Sequence, residues 1–158
     1  MKPAHFAFLA IFIAQLAACT HTPSTQTGNI AASSGSELVG CWHGEDYQPA
    51  MRQSAAWLMN RKQDGTFNVD FWSWSSSGRL NKQAEAGRWI SSREIYTTIT
   101  TEIDGQVLQE SYVDDYEIRS FDGTDMAYFH VKAGLTFKSK KVSCDFVPPS
   151  PRKLESPA

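Results

Sequence analysis

Three Asp-Gly dipeptides, at 64–65, 104–105 and 122–123, punctuate this 158-residue chain at the ends of short apolar segments. Asp-Gly accommodates the positive φ of tight hairpin turns, so each marks a reversal between adjacent strands. A looser fourth turn is "SSSG", ending at Gly78. The segments between are rich in Thr, Ile, Val, Tyr, Phe and Trp, which suit a pleated, half-buried surface. Their alternation has period two. In "TFNVDFW", Phe67, Val69 and Phe71 share one face; in "EIYTTITTEI", Ile95, Ile99 and Ile103 share a face with Thr97 and Thr101. In "VLQESYVDDYEI", Leu108, Tyr112, Tyr116 and Ile118 share a face with Glu110 and Asp114. No window carries the period of a long helix. The pattern predicts eight strands, at 38–44, 54–62, 66–74, 81–90, 94–103, 106–119, 124–132 and 135–146. Residues 44–53 would form a long loop or one helical turn. Successive hairpins make an antiparallel up-and-down sheet, and closing it into a barrel removes its adhesive edges.

Residues 1–18 read as an export signal: Lys2 precedes the apolar run "FAFLAIFIAQLAA", too short and wrongly flanked to be kept as a membrane span. The following "LAAC", Leu16 to Cys19, resembles the lipobox of bacterial lipoproteins. That resemblance implies a mature chain beginning at Cys19, its thiol carrying diacylglycerol and its amine acylated. Two or more acyl chains suffice for stable membrane anchoring. Thr20 stands where an aspartate would signal inner-membrane retention, so the resemblance implies an outer-membrane anchor facing the periplasm. Residues 19–37 are Ser/Thr/Gly/Ala-rich and nearly uncharged, a composition expected of a flexible tether. The Pro-rich residues 148–158 read as a disordered tail. One domain, 38–147, remains.

Cys41 and Cys144 lie near the two ends of that domain. Export puts them in an oxidising compartment. With Cys19 implied to be acylated, they have only each other to pair with. The bond would tie the first strand to the last, as barrel closure requires.

"ELVGCWHG" places Gly40-x-Trp42 on the first strand, and "FKSKKV" comes late in the meander. The combination is similar to the lipocalin or calycin group, particularly to small bacterial lipocalin-like domains. The resemblance implies an all-β, eight-stranded antiparallel up-and-down barrel, with Trp42 closing its floor and Lys140 or Lys141 packing across it. Gly87-x-Trp89 has the look of a second such strand. The family's usual Thr-Asp-Tyr motif is absent, "TDMAY" at 124–128 being a loose echo, and its late helix has no counterpart.

Elements of catalysis are few. There is no Gly-x-Ser-x-Gly elbow and no Gly-rich phosphate loop, and the domain cysteines are committed to a bridge. His43 and His130 stand far apart in sequence; with Glu45 or Asp46 they would make a metal site only if the barrel gathered them. The acidic stretch Glu110, Asp114, Asp115 and Glu117 reads as a solvated strand face. A net charge of −2, made more negative by loss of Lys2, argues against nucleic acid. "KSKK" alternates along a strand and makes no concentrated basic patch.

The residues therefore point to a non-enzymatic barrel, with no cofactor or metal, holding a small apolar or amphipathic ligand. The expected lining is Phe67, Val69, Phe71, Trp89, Ile95 and Ile99, together with Tyr112 and Tyr116, over Trp42 as floor. Thr97, Thr101 and Glu110 would supply polar contacts. The competing expectation is a protein-interaction module, an envelope assembly factor or hydrolase inhibitor. It would act through loops and an exposed patch of Trp72 and Trp74, which share the face opposite Phe71.

Overall fold

The computed structural model describes residues 35–48, 53–75, 77–92 and 94–148. The signal, Cys19, most of the tether and nearly all of the tail lie outside the described residues. Eight strands follow in order: β1 (Gly40–Gln48), β2 (Gln53–Arg61), β3 (Thr66–Trp74), β4 (Leu80–Ser92), β5 (Ile95–Ile103), β6 (Gln106–Phe121), β7 (Asp125–His130) and β8 (Leu135–Val142). Each pairs antiparallel with the next, and β8 returns to β1 to close the barrel. The up-and-down topology is thus the expected one. β1 runs further than its "GEDY" polarity suggests, because Glu45 to Gln48 continue the ladder opposite Ala56 to Gln53.

Two turns share the sequence Asp-Gly-Thr and the same physics. Asp64 Oδ1 accepts from the backbone N–H and hydroxyl of Thr66, at 2.8 and 2.6 Å. Asp122 Oδ1 accepts from Thr124 N–H, the Thr124 hydroxyl and Asp125 N–H. These donors hold both carboxyls below the usual aspartate range. At Asp104-Gly105 both residues adopt positive φ, 50° and 76°, the two-residue hairpin geometry that the dipeptide favours.

The seam between β8 and β1 is short: only Cys41–His43 pair with Lys140–Val142. Two features secure it. Cys41 and Cys144 form a disulfide across it, with Cα atoms 5.1 Å apart. Beyond the paired residues, the Trp57 indole occupies the space that a side chain on Gly44 would need, and meets Phe137 of β8 edge-on with ring centroids 5.5 Å apart. A glycine at 44 is therefore what lets a β2 tryptophan reach across β1 to β8.

One end of the barrel is filled. Trp42 is wholly buried, and its Nε1 donates to the carbonyl of Leu38, which ends a 3-10 turn over Ser36–Leu38. Lys141, rather than Lys140, covers this floor: its Nζ lies 5.4 Å from the Trp42 ring centroid and donates to Glu37 O. Lys140 points outward to Asp125 at 3.5 Å. The first position of Gly-x-Trp follows from the same contact. Gly40 has φ 116°, and a Cβ there would crowd Lys141 Cε at 3.1 Å. Phe67, Trp89, Ile118 and Met126 complete the packed layer.

Candidate functional site: a polar, aromatic cavity

Beyond that floor the interior holds a cavity of about 250 Å³. Inward alternation on β2 brings Trp57, Met59 and Arg61 to it, and β3 brings Val69 and Phe71. Glu85 enters from β4, Tyr96 from β5, Asp114 and Tyr116 from β6, and Tyr128 and His130 from β7. Phe137 and Ser139 of β8 complete it.

Contacts run continuously through these groups. Arg61 Cζ stands 4.4 Å from the Tyr96 centroid, Tyr96 stacks on Tyr116 at 4.6 Å, and Tyr116 stacks on His130 at 4.8 Å. Tyr128 meets both Tyr96 and Tyr116 edge-on at 5.7 Å. Burial pushes the Tyr96 hydroxyl up to about 12, against the pull of the Arg61 charge, and raises Tyr116 and Tyr128 as well. All three phenols therefore stay protonated at neutral pH and remain hydrogen-bond donors.

The two inward carboxyls differ. His130 Nε2 donates to Asp114 Oδ1 at 3.1 Å, which holds Asp114 below the usual aspartate range. Burial raises Glu85, although Gln83 Nε2 and Thr100 Oγ1 donate to it. Arg61 is only 2% exposed, yet its Nε and Nη1 have no hydrogen-bond partner among the described residues. None of the ion pairs among those residues includes it. Ser139 Oγ is likewise buried without a partner. Buried donors of this kind normally cost about 1–3 kcal/mol each unless satisfied. The cavity is therefore apolar around its tyrosines and short of acceptors beside Arg61 and Ser139.

The arrangement is compatible with ligand binding. Among the described residues, no hydroxyl or thiol is hydrogen-bonded to His130, so the nucleophile–base contact of covalent hydrolysis is missing. No three His, Cys, Asp or Glu side chains among them are placed to hold a metal ion. His43 points to the outer face, where Glu45 Oε1 lies 3.7 Å away, and so stands on the opposite side of the wall from His130. Burial lowers its pKa.

Of the expected lining, Val69, Phe71 and Tyr116 reach the cavity. Trp42 forms the floor as expected, and Phe67 and Trp89 join it there instead of lining the cavity, Trp89 Nε1 donating to Lys62 O at 3.0 Å. Tyr112 lies on the inward face of β6 but is 53% exposed, beyond the pairing of β6 with β7. Ile95 and Ile99 are corrected outright. The buried face of β5 is Tyr96, Thr98 and Thr100, so the isoleucines and Thr97 face outward, and Thr97 Oγ1 donates to Asp115 on the outer wall. The error has a physical cause: isoleucine makes the more apolar face, but this interior selects aromatic and hydroxyl groups. Glu110 is exposed, and Thr101 bonds Ala86 O at an exposed position.

Asp114 is corrected in the other direction, from solvated strand to cavity wall. Trp74 is 7% exposed and Trp72 only partly exposed, so the two do not form an open aromatic patch. The small Ser54 and Ala56 stand opposite them on β2 and are buried too. Sequence reasoning missed Arg61, Glu85, Tyr96, Tyr128 and Ser139. A signal for Arg61 was present: it continues the face of Trp57 and Met59, a cation on an apolar stripe.

No protein-family model matches this chain, and no curated protein matches it.

Proposed function

We propose that this protein is a lipid-anchored envelope lipoprotein, attached through Cys19 to the outer membrane and facing the periplasm. Its barrel binds a small amphipathic ligand without chemical change. The observation that carries the reading is the cavity of about 250 Å³ beyond a sealed floor, walled by three clustered tyrosines and polar groups. A barrel built only for packing would close over such groups or replace them with aliphatic side chains. The volume falls just under the usual range of about 300–1,000 Å³ for drug-sized ligands, so the ligand is small.

The test titrates the disulfide-bonded protein, refolded from denaturant, with a neutral apolar fluorophore while tryptophan and tyrosine emission are followed. Saturable one-to-one binding is expected, and Val69→Phe, which fills the cavity, should abolish it while leaving the near-ultraviolet dichroism of a folded domain. Absence of saturable binding to well-folded protein would count against the ligand reading. The anchor is tested separately: Cys19→Ser should move the chain from the membrane fraction to the soluble one.

The interaction-module reading retains one observation. Ile90 and Val113 stand more than half exposed on the outer wall of β4 and β6.

A further inference from the structure

We propose that the cavity takes a small monocarboxylic acid with a compact apolar body, its carboxylate against Arg61 and Ser139 and its body against the tyrosine cluster. This rests on the reading of the barrel interior as a ligand site and names the chemistry of the ligand.

Arg61 supplies the main reason. A guanidinium that is 2% exposed has left water almost completely, and a buried cation is tolerated when a countercharge and acceptors replace the lost hydration. Stacking on Tyr96 replaces part of that, but a ring face accepts no second N–H bond and carries no charge. Nε and Nη1 remain without partners, as does the Ser139 hydroxyl on the same cavity. Unpartnered donors on two residues that line one cavity want an acceptor-rich group, and a carboxylate offers two oxygens with about four lone-pair sites.

The remaining wall limits the charge to one. Among the described lining residues Arg61 is the cation without a carboxylate partner, since His130 is bonded to Asp114. Glu85 and Asp114 face the same interior and would repel a second negative charge. A phosphate dianion is thus disfavoured and a monoanion favoured. The body follows from the other surfaces. Tyr96, Tyr116 and Tyr128 with Trp57 and Phe137 present ring faces and edges, which suit an aryl group or a short alkyl chain. The cavity volume excludes a long acyl chain folded wholly inside.

The experiment uses the full chain in a non-ionic detergent and isothermal titration with matched pairs: 3-phenylpropanoate against 3-phenylpropanamide, octanoate against octanamide. Inorganic phosphate serves as a separate probe. One acid of a pair is expected to bind one-to-one, with its amide about tenfold to a hundredfold weaker, the difference of a hydrogen bond to a charged group. Which pair binds distinguishes an aromatic acid from a lipid-derived one. Arg61→Met should erase the preference for the acid while the amide binds as before. Arg61→Lys, which keeps the charge on a smaller donor set, should retain part of it; that variant and the wild-type acid–amide comparison decide the matter should Arg61→Met not fold. Equal binding of acid and amide by the wild type, or a preference that survives Arg61→Met, overturns the proposal and leaves the ligand site standing. Tighter binding of phosphate than of either acid overturns it too. Failure of acids, amides and the neutral fluorophore alike overturns the ligand-site reading itself.

Discussion

Removal of the disulfide, as Cys41→Ala with Cys144→Ala, should weaken this barrel at one identifiable place. The bridged residues are 103 apart in sequence, so reduction frees almost the whole domain in the unfolded state. The chain-entropy estimate for a loop of that size is about 4.7 kcal/mol at 25 °C. With about 2.1 cal/mol/K of unfolding entropy per residue, a domain of about 110 residues would lose about 20 °C in Tm. Since domains hold about 5–15 kcal/mol in total, the variant should be partly unfolded at 37 °C. The loss should also be localised. β1 and β8 pair over three residues, whereas every other neighbouring pair of strands is in register over at least five. Urea denaturation of oxidised and double-alanine protein gives the magnitude, and native-state hydrogen exchange gives the place. Amides of Gly40–Gln48 and Leu135–Val142 should lose protection ahead of those in β3 to β5. A loss below about 1 kcal/mol would refute the entropic reasoning. Uniform loss of protection around the barrel would refute the assignment of the seam as its weak point.

The other expectations concern the floor, the seam and the cavity. Lys141→Met should cost about 0.5–1 kcal/mol through the lost contact with Trp42, whereas Lys140→Met, at an exposed pair, should leave the urea midpoint almost unchanged; equal effects would contradict the floor assignment. Gly44→Ala should destabilise by about 1–3 kcal/mol and alter tryptophan emission, because the new methyl collides with Trp57 and the Lys138 carbonyl. Glu85 has a pKa raised by burial, so the stability held by its protonated form is fully present below its ordinary value of 4.5 and is lost as pH climbs through the folded value. Glu85→Gln should therefore gain on the wild type as pH rises from 4 to 8, and a pH-independent difference between the two would contradict that burial.

Much of the architecture was readable in advance because it depends on local chemistry. Asp64, Asp104 and Asp122 with their glycines mark reversals through backbone conformations that few other dipeptides adopt. Period-two alternation located strands β2 to β8 within a few residues. It underestimated β1, where Glu45 to Gln48 pair despite their polarity. The pairing of Cys41 with Cys144 and the floor position of Trp42 also agree with the structure.

Faces and neighbours were decided only by the tertiary structure. Alternation shows that Ile95, Thr97 and Ile99 share one side of β5 and Tyr96, Thr98 and Thr100 the other, but it carries no sign. The sign comes from what lines the other strands. Here Arg61, Tyr116 and Tyr128 surround the interior, so the tyrosine–threonine face turns inward and the isoleucines turn out. The same holds for Arg61 and Asp114. Asp114 looks like an ordinary surface charge in the sequence and Arg61 only like a cation on an apolar stripe, and each acquires its character from residues 16 or more positions away, His130 for Asp114 and Tyr96 for Arg61. The sequence by itself determined the strand order and the turns, since these follow from conformations within a few residues, and its cysteines at 41 and 144 marked the closure. The cavity and its cation without a carboxylate partner arise from side chains on seven of the eight strands, and only the closed barrel brings them into contact.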